Sequence, residues 1–196
     1  DTLAHPAFID GSKLRKFDIV LANPPYSIKT WNREAFMNDK WGRNFLGTPP
    51  QGRADYAFMQ HIIASMNSNT GRCAILFPHG VLFRDEEKEI RKNLILQDDI
   101  ECVIGLGPNL FYNSPMEACI IICNKNKTSE MKNRILMINA VHEVIRKNGE
   151  SLLLDKHIEK ISSTYHEKIE IEGFSKVTSL DEIKEKDYNL NISLYA

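Results

Sequence analysis

The sequence predicts an α/β fold: a partial Rossmann-like sheet, mixed but mostly parallel, with helices on both faces and an antiparallel strand near the C-terminal part. Three observations carry this expectation. Short apolar runs at 17–22, 73–78 and 100–106 alternate with segments of helical character, as parallel crossovers require. A further run, "ACIIICNK" at 118–125, follows after a turn too short for a crossover helix and should therefore pair antiparallel. The 196 residues, 42% hydrophobic and 26% charged, are enough for one core and one domain.

Taken in order, Phe17 to Ala22 is short and almost wholly apolar, the pattern of a strand covered on both faces. Residues 27–52 form a long polar loop carrying Trp31 and Trp41, and loops of that length are usually functional. Phe58, Met59, Ile62, Ile63 and Met66 follow helical spacing, with Gly71 closing the segment, so one buried stripe is expected. A strand at 73–78, a surface-charged helix at 86–95 and a strand at 100–106 come next. "RILMINA" at 134–140 adds a strand, and Asp155 to Ile169 carries a helical pattern. Residues 141–196 are expected to form a helical and extended tail.

The formal net charge of −1 and a pI near 6.7 exclude a domain that grips DNA by phosphate neutralisation alone. Any such grip must be local or borrowed. Arg33, Lys40, Arg43 and Arg53, with the two tryptophans, make the 27–52 loop a candidate contact. No run approaches the ~18 apolar residues of a membrane span and no signal-peptide core is present, so the expected location is cytoplasmic. Cys73, Cys102, Cys119 and Cys123 lie in apolar stretches without Cys-x-x-Cys spacing, which reads as buried free thiols and no metal.

The strand at 17–22 stops at Asn23-Pro24-Pro25-Tyr26. Ligands of open α/β sheets bind outside the carboxyl ends of the strands. Two prolines stiffen this turn and remove two N–H donors, leaving carbonyls free. Asn23 adds a side-chain acceptor and Tyr26 a flat face. Together they suit an exocyclic amino group on a planar ring.

With "RADYAFMQHII" (53–63), "PHGVLFR" (78–84), "NLFYNSP" (109–115) and "DYNLNISLY" (187–195), this tetrad resembles the methylation subunit of type I restriction-modification systems, in the N6-adenine DNA methyltransferase family. The resemblance runs over essentially the whole chain. It implies S-adenosylmethionine as cofactor and double-stranded DNA with a flipped adenine as substrate. It also implies three partners: a specificity subunit, a second methylation subunit and a restriction subunit. Asn23, Pro24, Pro25 and Tyr26 become the catalytic residues. Tyr26 and Phe111 become the rings that stack on the target base, with Tyr112 as the neighbouring alternative to Phe111.

Adenine N6 is a weak nucleophile because its lone pair is delocalised. If Asn23 Oδ1 and the Pro24 carbonyl each accept one of its N–H groups, electron density returns to nitrogen and the lone pair is aimed at the methyl donor. A protein glutamine-amide methyltransferase uses the same tetrad, and a non-catalytic scaffold would use it only as a turn. His79 and His61 read as hydrogen-bonded structure, and Asp55 as a first-turn carboxylate.

A methyltransferase of this class needs a Gly-rich cofactor loop before the tetrad. Only 22 residues precede Asn23, and Gly105-Leu106-Gly107 is followed by Pro108 and a turn instead of a helix. The cofactor-binding residues are therefore expected upstream of Asp1. The chain reads as the C-terminal portion of one S-adenosylmethionine-dependent domain, inactive alone.

Overall fold

The computed structural model describes residues 1–26, 28–111, 114–147 and 149–196. In chain order these hold β1 (Ile9–Asp10), β2 (Lys13–Leu14), β3 (Ile19–Ala22), α1 (Arg33–Met37), α2 (Asp55–Ala64), β4 (Arg72–Pro78), α3 (Lys88–Leu96), β5 (Ile100–Leu106), β6 (Ala118–Asn124), β7 (Arg134–Ala140), β8 (Ile145–Lys147), β9 (Glu150–Leu152), α4 (Asp155–Glu167), β10 (Ser175–Ser179) and α5 (Leu180–Glu185). Among the described residues, no helix is long and apolar enough to cross a membrane.

Six strands form one sheet in the order β10-β7-β5-β6-β4-β3. β3, β4, β5 and β7 run one way, while β6 and β10 run the other. β6 pairs antiparallel as its short approach requires. It does so with two strands at once, because the α3 crossover from β4 to β5 skips one position and β6 fills the gap. Residues 141–196 hold more than a helix and an extended run: they contribute the β8–β9 hairpin and β10, which extends the sheet beyond β7.

Period-two alternation assigns each strand residue to a face. Cys73, Ile75, Phe77, Val103, Cys119, Ile121, Ile135 and Met137 pack with Met59 and Ile62 of α2, Ile90 and Leu94 of α3 and Ile183 of α5. Cys102, Ile104, Leu106, Leu136 and Ile138 pack on the other face with Tyr165 of α4 and with Phe174. Helices thus cover both faces, unequally.

Three local expectations change. β3 is an edge strand of the sheet, and Ile19 and Leu21 are 71% and 77% exposed, so the strand is not covered on both faces as its apolar run predicts. α2 is buried nearly all round instead of along one stripe, since Ala57 and Phe58 join a second cluster with Leu3 and Phe36. It ends at Ala64, and Gly71 serves the following turn, where a Cβ would fall 2.5 Å from the Asn67 carbonyl oxygen. α3 turns Arg91 into the core, only 1% exposed.

Arg91 explains how the C-terminus is held. Its Nη1 donates to the Arg84 carbonyl at 2.9 Å and its Nε to the Tyr188 carbonyl at 2.9 Å. Leu190 N donates to Leu82 O at 2.8 Å and Asn139 Nδ2 to Ala196 O at 3.0 Å. The chain end therefore lies across the end of β5, and the two glycines there make room for it and for the turn after β7. A Cβ on Gly105 would stand 2.8 Å from Ile192 Cδ1, and one on Gly107 2.6 Å from the Val141 carbonyl oxygen.

Two stability changes follow. Gly107→Ala meets backbone that cannot swing aside and should cost about 1–3 kcal/mol, read as a lower urea midpoint. Arg91→Met keeps the apolar stem but leaves the Arg84 and Tyr188 carbonyls without their donor. Stranding buried acceptors costs about 1–3 kcal/mol each, and proteolysis should cut first near residue 188.

Candidate active site

The tetrad lies at the carboxyl end of β3. Proline fixes φ near −65°, and two in succession fold the turn so that the side chains three apart meet. Tyr26 Oη donates to Asn23 Oδ1 at 2.7 Å. Pro24 is buried, Asn23 and Pro25 are exposed, and Tyr26 is half-buried. Burial raises the Tyr26 phenol above its ordinary pKa, with Cys119 and Asp55 adding to the shift, so it remains a neutral donor. Beside the tetrad runs a groove of about 550 Å³ along the outer edge of β3, lined among others by Phe8, Phe17, Asn23, Pro24 and Phe58. That volume lies in the ordinary range for small-ligand sites.

The neighbouring strand β4 delivers "PHGVLFR" to the same edge. His79 N donates to Glu117 O at 3.0 Å, and its Nδ1 lies 3.3 Å from Glu117 Oε2. Burial lowers the His79 pKa, with Glu117 opposing. The ring meets Phe83 edge-on at 5.8 Å. His79 is thus fixed, tying the end of β4 to the start of β6.

Arg84 is the centre of a buried ionic group. Its Nη1 donates to Asp55 Oδ2 at 2.9 Å and to Glu87 Oε2 at 3.0 Å, and both carboxylate side chains are fully buried. Desolvation raises the Glu87 pKa, and Arg84 pulls against it. Gly80 exists for this guanidinium: a Cβ there would approach Arg84 Nε to 2.5 Å. Tyr56 Oη donates to Val81 O at 2.9 Å. "RADY" and "PHGVLFR" are therefore joined, with Glu87, in one buried lock. Asp55 sits in the first turn of α2 as expected, held by an ion pair instead of a cap. The sequence contained a signal for this lock, charged residues inside otherwise apolar strings, though not the pairing.

Phe111 lies on the same edge, in the loop from β5 to β6, half-buried and bridged to Ser114. Tyr112 lies outside the described residues. β5 is three positions from β3, roughly 14 Å at the usual strand spacing. No hydrogen bond or ring contact among the described residues joins Phe111 to the tetrad. Glu117, just before β6, meets His79 at the end of β4.

The 27–52 loop differs from a free basic surface. Arg43 is 1% exposed and donates to Asp39 Oδ1 and Leu3 O, each at 2.6 Å. Arg33 Nε donates to Pro49 O at 2.7 Å, and Arg53 lies 3.6 Å from Glu86. Trp31 donates to Gln51 O and meets Phe36 edge-on. Arg33 and Arg43 pin the loop, because a long connection must satisfy its own backbone carbonyls, whereas Arg53 pairs outside it with Glu86. His61 beside Arg43 is pushed down to about 4, first by burial and then by that cation. Among the described residues no cluster of His, Cys, Asp and Glu could hold a metal, and the four thiols are free and buried.

Three comparisons bear on this geometry. The N-6 DNA Methylase family model matches residues 1–196. The MjaVIII methylase subunit of a type I restriction enzyme from Methanocaldococcus jannaschii is 39% identical over all of this chain and 35% of its own length. The HindI methylase subunit from Haemophilus influenzae is 34% identical over all of this chain and 44% of its own. A crystal structure of a type I restriction-modification methyltransferase subunit from Streptococcus thermophilus superposes with a TM-score of 0.90 at 38% identity, over the whole of this chain and 41% of that one. The chain thus spans less than half the length of these relatives. A tetrad at a strand's carboxyl end, a lock of buried charges and a family model matched from end to end agree: the chain belongs to the N-6 DNA methylase family.

Proposed function

We propose that the chain supplies the target-amine half of an adenine-N6 DNA methyltransferase, the methylation subunit of a type I restriction-modification system. The observation that carries this is the tetrad itself: a side-chain acceptor, the main-chain carbonyl of a proline turn and an aromatic ring at one strand end. Asn23 Oδ1 and the Pro24 carbonyl accept the two N–H groups of adenine N6 and draw its lone pair toward the methyl donor. Tyr26 stacks on the extruded base, with Phe111 on its far side. No general base is needed first, because the methylated ammonium is strongly acidic once formed. S-adenosylmethionine, when bound, supplies an electrophilic methyl group beside Asn23.

The open edge of β3 supports a second part of the reading. Unpaired strand edges with large exposed apolar side chains are normally covered. We assign Ile19 and Leu21 to a covered position, packed by the cofactor-binding part of the full polypeptide. Gly105 and Gly107 are filled by neighbouring packing and leave no cradle for a cofactor. Double-stranded DNA, a specificity subunit, a second methylation subunit and a restriction subunit complete the proposed assembly.

In the full-length complex, Asn23→Ala should lower kcat for methyl incorporation into DNA by about 10²- to 10³-fold, with DNA affinity retained. Unchanged turnover would leave the tetrad as a turn in a scaffold, and label appearing only in protein would favour a glutamine amide as substrate. For the 196-residue chain alone, calorimetry should find S-adenosylmethionine binding weaker than the micromolar range, about −8 kcal/mol; a low-micromolar constant would contradict the divided site.

A further inference from the structure

The Tyr26 hydroxyl has a role that stacking does not use. It donates to Asn23 Oδ1 at 2.7 Å, across a turn whose two prolines prevent the ends from drifting apart. An amide has an acceptor end and a donor end of nearly the same shape. Rotation of the Asn23 amide by half a turn would present NH₂ to the target amine, donor against donor. A carbonyl oxygen has two lone pairs, so the phenol can take one and leave the other for adenine N6.

We propose that the Tyr26 hydroxyl is a positioning group for Asn23, holding its amide oxygen toward the target amine while the ring of the same residue stacks on the base. The assignment rests on the reading of the tetrad given above and deepens it. The phenol suits the task because its raised pKa keeps the proton on oxygen, which makes it a donor and excludes it as a base. Exposure suits it too: Asn23 is open to solvent and makes no other side-chain hydrogen bond among the described residues. Water alone would otherwise decide which end of the amide faces the substrate. One residue thus serves capture through its ring and turnover through its hydroxyl.

The test uses the full-length methylase assembled with its partners, a duplex carrying one target site, and four proteins: the parent, Tyr26→Phe, Asn23→Ala and the double variant. Single-turnover methylation at saturating cofactor and DNA gives the chemical rate, and a second duplex with 2-aminopurine in place of the target adenine, which has no N6 to methylate, reports base extrusion. A neutral hydrogen bond is worth about three- to tenfold in rate. Tyr26→Phe should therefore slow methyl transfer by that factor while leaving KM for DNA and the extrusion signal unchanged. With Asn23 already removed, Tyr26→Phe should cost nothing more, since the hydroxyl acts through that side chain. Parental rates in Tyr26→Phe, a lost extrusion signal, or losses that multiply in the double variant would each overturn the assignment. Parental rates in Asn23→Ala would instead overturn the reading of the tetrad.

Discussion

The carboxyl edge of this sheet depends on one guanidinium. Asp55 and Glu87 are two carboxylates with no solvent access, and Arg84 bonds both. An unpaired charge so buried would cost several kcal/mol, so α2, the turn after β4 and the start of α3 must arrive together or not at all. Gly80 is small because the guanidinium lies over it. The Tyr26 phenol feels the Asp55 charge, which connects the lock to the tetrad electrostatically. A cluster of one cation and two anions is a poor source of net stability. Its value here is geometric, in holding α2, the turn after β4 and the start of α3 in one register.

Arg91, itself buried, repeats the device with neutral partners. It donates to carbonyls instead of carboxylates, at Arg84 and Tyr188, and so carries the order of the lock to the last residues of the chain. Arg84 links the two groups: its side chain donates to Asp55 and Glu87, and its carbonyl accepts from Arg91. The C-terminal segment then covers the end of β5, the place where a Gly-x-Gly might have been read as a ligand loop. Its glycines are explained by the approach of Ile192 and Val141.

Function in such a site is divided between local and distant parts of the chain. The tetrad is self-contained: its prolines, amide and phenol are contiguous, and their mutual geometry follows from four residues. The place of Phe111 is not. Phe111 reaches the same edge from β5, three strand positions away, on a loop whose far end is tied by Glu117 to His79. The proline turn is stiff by construction, whereas the position of Phe111 depends on the longer connection between β5 and β6.

Taken by itself, the sequence determined the α/β class, the limits of β5 and β7, the antiparallel sense of β6 and the place of the tetrad. Each of these is written in local periodicity or in the fixed dihedrals of proline. Only the tertiary structure decided that β6 inserts between β4 and β5, that β3 is an outer strand, that Arg43 and Arg91 turn inward, and that Asp55 meets Arg84. The reason is physical. Arg84 meets Asp55 across 29 positions and Arg91 meets the Tyr188 carbonyl across 97, and no local pattern encodes either meeting. The Tyr26–Asn23 bond stands between the two cases: its residues are adjacent enough to be legible, yet the meeting of hydroxyl and amide appears only once the two prolines have bent the chain.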